Sequence, residues 1–381
     1  MNTVLIACLD NWNTLSEVPY IVNKGGFEVH VLCGEESWLH KNKFFSKWII
    51  AKDDPTAYVD QLIGLAKTEN YDWIIPGDEK LIKLLNETIT DEELFCKLLP
   101  LTKIENRELL SSKLGLSNVC MKYGVRTPAY IYYKVKGTGN PSFEALKFPV
   151  IMKIDFSWGG VNIKICHNIK EVEEALITMP EGETLIIQEY IQGHEVPIEA
   201  LFWKGKLIAM GCSEILEYDK DEFSYSTRRR YFPVDQTLKE EIAFFGESAG
   251  IHGFVNMAYI KSSADGLHYL IEADTRPSSW AAYIEHAGNS FSKALKYITT
   301  STEPELQESK TIEIALFHKD IRRALYKHDI KGLIRWIYNP AYWKYIPFYD
   351  RRLLKYTFKE IWSEFVIDKM HRIKSRRNNV R

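Results

Sequence analysis

No two of the six cysteines stand in a CxxC pair, and the ten histidines are as dispersed. Both patterns argue against a zinc site or redox dithiol and for reduced structural thiols. No apolar run approaches the roughly 20 residues of a membrane span, and no basic segment precedes an apolar one near the N-terminus, so the expected location is cytoplasmic. No GxGxxG follows the first predicted strand, which leaves a dinucleotide oxidoreductase with little support. With 45% hydrophobic and 26% charged residues the chain is neither disordered nor collagen-like, and 381 residues exceed one compact core, so two or three domains are expected.

What is present begins with a β-α-β pattern. Thr3 to Leu9 and Val29 to Cys33 are apolar runs separated by one helix length and Gly25-Gly26. Trp48 to Ala51 and Trp73 to Pro76 continue the pattern, which implies a parallel sheet with right-handed crossovers. Ligands gather beyond the carboxyl ends of such strands, where Asp10, Asn11, Asp78 and Glu79 fall. As single residues, Asp10 and Asp78 read better as helix N-caps.

After Pro100 the periodicity turns helical over Asn106 to Tyr123, closed by Gly124, with Lys113 on that helix. Phe148 to Gly160, FPVIMKIDFSWGG, places one charge, Lys153, in an apolar strand and follows it with Ser157, Trp158, Gly159 and Gly160. A buried lysine needs an anionic partner, and such a loop lets backbone N–H groups approach one. The alternative is a hairpin turn with a snorkelling lysine, because VNIKI alternates like a returning strand. A helix over Ile169 to Met179 and a strand over Thr184 to Tyr190 follow. Arg228, Arg229 and Arg230 are expected in a loop, able to meet a carboxylate or phosphate. Phe254 to Ile260 and Leu267 to Ala273 read as a hairpin through SSADG, delivering Glu272, Asp274 and Arg276 at the end of its second strand. Residues two apart face the same way, and two co-facial carboxylates suit magnesium.

The order Lys113, Lys153 with SWGG, Gln188-Glu189-Tyr190-Ile191, Glu195, then Glu272-Ala273-Asp274-Thr275-Arg276 resembles the ATP-grasp superfamily of carboxylate-amine ligases. The layout is similar to that of biotin carboxylase and the carbamoyl phosphate synthetases, over residues 1 to about 305. The resemblance implies an α/β fold, α+β overall. A Rossmann-like pre-ATP-grasp domain (1–105) would precede a two-lobed ATP-grasp domain (106–305, lid lobe about 129–185) and a helical tail (306–381). By the same resemblance, Lys113, Lys153 and the Ser157 to Gly160 loop with Gly159 would hold ATP phosphates. Gln188 belongs to the motif, the backbone of Glu189 and Ile191 would take adenine, and Glu195 the ribose. Glu272 and Asp274, with Asn256 in support, would bind Mg2+ or Mn2+, while Arg276 and Arg228 or Arg230 would stabilise a phosphorylated intermediate. The implied partners are a small carboxylate and an amine, without nucleic acid.

Two positions depart from the family pattern. Asp274 stands where the family has Asn, and Ala258 where it offers a metal ligand. The second departure supports an alternative, an ATP-binding pseudoenzyme or regulatory module. The net charge of −2 hides an asymmetry. From Lys319 onward 17 Lys or Arg face 6 Asp or Glu, while residues 1–318 hold 32 against 45. This basic, aromatic-rich segment fits an anionic membrane surface or acidic partner. It equally fits packing on the acidic body, within one chain or in a homodimer.

Overall fold

The computed structural model describes residues 2–137, 142–157, 162–221, 223–300 and 309–378. The first elements are β1 (Thr3–Ala7), α1 (Val18–Lys24), β2 (Glu28–Cys33), β3 (Lys47–Ile50), α2 (Pro55–Thr68), β4 (Trp73–Pro76), α3 (Glu79–Thr88) and α4 (Glu92–Leu98). The four strands form a parallel sheet in the order β3-β2-β1-β4. Val4 and Ile6 enter one hydrophobic cluster and Leu5 and Ala7 another, so β1 is buried on both faces. That is why its sequence is uniformly apolar rather than alternating. Asp54, Asp78 and Asp91 cap α2, α3 and α4 by accepting from the third backbone N–H beyond them.

Next come α5 (Lys113–Tyr123), β5 (Tyr130–Lys134), β6 (Val150–Ile154), β7 (Lys164–Cys166), α6 (Ile169–Thr178) and β8 (Thr184–Glu189). Gly124, at φ 69°, closes α5 in the left-handed conformation that glycine adopts freely. The strands make a four-stranded sheet ordered β5-β8-β6-β7. Its own small core holds Val150, Met152, Ile154, Leu185 and Ile187. β6 and β7 do pair as a hairpin, with Val150 opposite Cys166.

The third sheet collects β9 (Gly193–Trp203), β10 (Lys206–Tyr218), β11 (Ser226–Phe232), β12 (Gly253–Ser262) and β13 (His268–Asp274). Between them lies α7 (Gln236–Ala249), and after them α8 (Phe291–Thr300), β14 (Ile312–Ala315), α9 (Phe317–Tyr326), α10 (Ile330–Tyr338), α11 (Pro340–Trp343) and α12 (Arg351–Asn378). The order is β13-β12-β9-β10-β11-β14, antiparallel throughout. Met257, Tyr259 and Leu270 on one face pack with Ile242 and Phe245 of α7. The opposite face is divided: Leu201, Phe254, Tyr231 and Ile314 enter the cluster that includes Val4 and Ile6, while polar side chains stand free of it on β9, β12 and β13.

One expectation changes here, and of two alternatives left open the packing on the body gains support. The segment after residue 305 is not a helical tail alone, because β14 completes the large sheet by pairing with β11. Nor is it detached: Phe317, Trp336 and Tyr345 sit in the core cluster that includes β1, and Leu353 and Tyr356 pack on Trp38. Much of its aromatic content therefore faces the body. Among the described residues no helix is long and apolar enough to cross a membrane.

Asp320 fastens this segment. Fully buried, it accepts from Arg228 and Arg323 and from Trp336 Nε1 at 2.8 Å. Asp320→Ala strands the Arg228 guanidinium, leaves Arg323 only Glu217 and Asp329, and should destabilise the protein by about 3–5 kcal/mol. Urea unfolding reads this directly, and an unchanged midpoint would contradict it.

Candidate active site

Strand registers assemble the site. Asp274 lies opposite Asn256 and Glu272 opposite Ala258, while Asn256 lies opposite Glu199, Ala258 opposite Pro197 and Ile260 opposite Glu195. Directly opposed residues share a face, so Glu272, Asp274, Asn256, Glu195 and Glu199 all stand on the polar part of the sheet face opposite α7. An open cleft begins there, lined by Glu79, Ser112, Lys113, Ser157, Glu272 and Asp274 among others.

The small lobe reaches this cleft through Ser157, just after β6. Val150, Met152 and Ile154 point into its core, so Lys153 between them points the other way. Lys153 is 8% exposed and makes no ion pair among the described residues. Burial pulls its ammonium down to about 8, with Glu272 opposing, Lys113 adding to the fall and Glu195 opposing. Lys113 opens α5 and donates to the carbonyls of Asp155 (3.2 Å) and Ser157 (2.7 Å). Asp155 accepts from Leu114 N (2.8 Å) and from Ser112 Oγ, tying the end of β6 to the start of α5. Gly159 and Gly160 lie outside the described residues, so the expected cradle is described only as far as Ser157.

Gln188 is buried and donates to Ser117 Oγ of α5 (3.2 Å), which makes it a strut between small sheet and helix. The Glu189 amide already donates to Ala129 O (2.8 Å), and its carboxylate accepts from Lys147 N. Only the carbonyl of Glu189, with the amide of Ile191, fits the expected adenine contact. Burial raises the Glu195 carboxyl to about 7, while Arg229 and Lys153 oppose the rise and Glu272 adds to it.

Arg276 donates to Glu79 Oε1 (2.6 Å) and Asp274 Oδ2 (2.9 Å), and its guanidinium lies 4.9 Å from the Trp12 ring centre. Asp78 is the N-cap expected of it, and also accepts from Leu9 N. The arginine run needs correction. It lies on β11 rather than in a loop, so its members alternate between faces. Arg228 is held by Asp320, and Arg230 is half-exposed between Glu214 and Glu313. Arg229 takes the site face: it donates to Glu199 (3.0 Å) and lies 4.6 Å from the Trp280 ring centre. Ser278 Oγ donates to the other Glu199 oxygen (2.6 Å). Sequence reasoning names Arg229 only as a member of the run and does not name Glu199. The signal for Glu199 was its place four residues after Glu195 on an alternating strand.

Among the described residues no three acidic, histidine or cysteine side chains form a metal cluster. Two carboxylates and an amide do fit magnesium completed by phosphate oxygens and water. Glu272 makes no ion pair among the described residues, and Asn256 Oδ1, beside Asp274, is buried without a hydrogen-bond partner. Burial drives the Asp274 carboxyl well above its usual range, with Arg276 opposing and Glu272 and Glu79 adding to the rise. A cation there would relieve that cost.

No family model matches the chain. In sequence it is 25% identical over 210 residues to D-alanine--D-alanine ligase A of Bacillus cereus, covering 50% of this chain and 68% of that one. It is 22% identical over 277 residues to carbamoyl-phosphate synthase of Methanobrevibacter smithii, covering 69% and 71%. In fold it is similar to N5-carboxyaminoimidazole synthetase from Staphylococcus aureus, TM-score 0.62 at 19% identity over 87% of this chain and 86% of that one; that protein is also solved with ADP. Together these relatives indicate an ATP-grasp carboxylate-amine ligase.

Proposed function

We propose that the chain transfers the γ-phosphoryl group of ATP to a substrate carboxylate and that an amine then displaces phosphate from the acyl phosphate. The products are an amide, ADP and inorganic phosphate. The observation that carries this reading is the buried Lys153, with no ion pair among the described residues yet close enough to Glu272, Lys113 and Glu195 to feel their charges, beside a cleft lined by Lys113, Glu272 and Asp274. Phosphoryl transfer to a carboxylate needs charge neutralisation and alignment more than covalent chemistry, and this cleft holds the groups for both.

Lys153 and Lys113 would take the nucleotide phosphates, Lys113 exchanging its bonds to the Asp155 and Ser157 carbonyls for them. The Glu189 carbonyl and Ile191 amide would hold adenine, and Glu195 the ribose hydroxyls. Arg276, fixed by Glu79 and Trp12, would orient the reacting carboxylate, with Arg229 replacing Arg228 and Arg230 in the supporting role. Glu272, Asp274 and Asn256 would hold Mg2+, or Mn2+, which when bound neutralises developing charge on phosphate oxygens. The small sheet would exclude water from the acyl phosphate.

The test is ADP release from ATP, which should require both a carboxylate and an amine. A second reading, a nucleotide-binding module without turnover, is favoured by Ala258 opposite Glu272. ATP binding indifferent to a chelator, with no ADP released in any mixture, would favour that module. The ionisations add a pH signature. Glu195 must lose its proton, near 7, to accept from a ribose hydroxyl, and Lys153 must keep its own, lost near 8. Consequently kcat/KM for ATP should rise through about pH 7 and fall above about pH 8. Glu195→Gln should flatten the acid limb alone; a pH-independent wild type would contradict both roles.

A further inference from the structure

Beside Arg229, α9 begins against β11. The Leu316 amide, at its N-cap, donates to Thr227 O (2.9 Å), so the first turn of α9 lies over the strand that carries Arg229. Its other cations are all neutralised. Arg322 pairs with Asp219 and Glu364, and Arg323 with Glu217, Asp320 and Asp329. Lys319 has no ion pair among the described residues, and its Nζ stands 4.3 Å from the Tyr225 ring centre. Burial, then Arg229, then Arg276 lower its ammonium to about 8, against the pull of Asp219 and Glu364.

Tyr225, under Lys319, is followed by Ser226, whose Oγ accepts from Arg229 Nε (2.7 Å), so Lys319 and Arg229 stand at one end of β11, and the site's two arginines are already matched: Arg229 by Glu199, Arg276 by Glu79 and Asp274. The excess charge belongs to Lys319. Among the described residues two further polar atoms are buried without hydrogen-bond partners, His318 Nε2, adjacent in sequence to Lys319, and Ser279 Oγ, on the loop after Arg276. Buried polar groups are nearly always satisfied, so unmatched groups at the start of α9 and on the loop after Arg276, together with an unmatched charge, point to a missing ligand.

We propose that Lys319, with Arg229, receives an anionic group of the acid substrate remote from its reacting carboxylate, so that this substrate is a dianion, a dicarboxylate or phosphate-bearing acid. The inference rests on the ligase reading for the position of the reacting carboxylate, beside Arg276 and the carboxylates of β13. The rings of Tyr225, Trp12 and Trp280 flank the three cations and supply apolar walls for the chain between the two charged ends.

Calorimetric titration of glutarate, 3-phosphoglycerate and butyrate into the full chain, with a non-hydrolysable ATP analogue and Mg2+ present, tests the subsite without turnover. At least one dianion should bind about 10- to 100-fold more tightly than butyrate, the range for a charge-assisted contact. Lys319→Met should lose that preference and Lys319→Arg keep it, with ATP-analogue affinity unchanged in both. The dianion preferred identifies the remote group as carboxylate or phosphate. Equal binding of butyrate, no binding of either dianion, or an undiminished preference in Lys319→Met would overturn the proposal. A dianion preference that vanishes in Lys319→Met while ATP yields no ADP with any of these acids plus an amine would instead sink the ligase reading and leave the subsite standing.

Discussion

Lys153→Met should reduce ATP turnover by about 10²- to 10³-fold, the loss typical of removing a preorganised group that faces developing charge. The same change should stabilise the unliganded fold, an outcome unusual for an active-site substitution. Lys153 is buried, lacks an ion pair among the described residues, and holds its proton only to about 8 against an ordinary 10.5. Between those values the unfolded chain binds the proton that the folded chain has released, so stability attributable to this group rises with pH. Below about pH 8 the native state carries the full burden, up to roughly 3 kcal/mol. The variant's advantage in melting temperature should therefore be largest at neutral pH and disappear as pH approaches 10.5. A variant that loses activity and stability together would mean that the lysine holds the sheet rather than the nucleotide.

Glu272→Ala is the second large effect. It removes a carboxylate with no ion pair among the described residues, so the fold should tolerate the loss, while turnover should fall at least about 100-fold. Asn256→Ala removes a neutral ligand that water can replace and should cost under about 10-fold. Extra magnesium should restore part of the Glu272→Ala activity. Equal losses in the two variants would place the metal elsewhere. Asp274 is a poorer probe, because removing it also frees Arg276, which it holds at 2.9 Å.

The sequence disclosed the strands of the site well because their spacing is local. Glu272 and Asp274 had to share a face once IEAD was read as strand, and Lys153 had to oppose its apolar neighbours. The helix expected from Asn106 proved to be two pieces, a 3-10 turn (Ile104–Leu109) and α5, because Ser112 and Asp155 cap a new start at Lys113. Arg228 to Arg230 misled because a charged run resembles a loop, although its charges are satisfied on a strand by partners distant in sequence: Asp320, Glu199, Glu214 and Glu313. Once it is a strand, alternation selects Arg229. β14 was illegible for a related reason. Four residues carry little periodicity, and their place depends on pairing with β11 across some 80 residues. The basic charge from Lys319 onward fits an interface and packing on the acidic body equally well in sequence; Arg322 and Arg323 side with packing, each pairing with acidic residues on or just after β10. Lys319 alone on α9 has no such pair among the described residues, and no local pattern could have distinguished it.

The central claim is that an acyl phosphate forms on the substrate carboxylate. With an acid that supports ADP release, supplied with 18O in its carboxylate, mass spectrometry of the inorganic phosphate tests it directly. Transfer of the γ-phosphoryl group to a carboxylate oxygen, followed by attack of the amine at carbon, predicts one 18O in each phosphate released. Unlabelled phosphate, or AMP and pyrophosphate in place of ADP and phosphate, would contradict it.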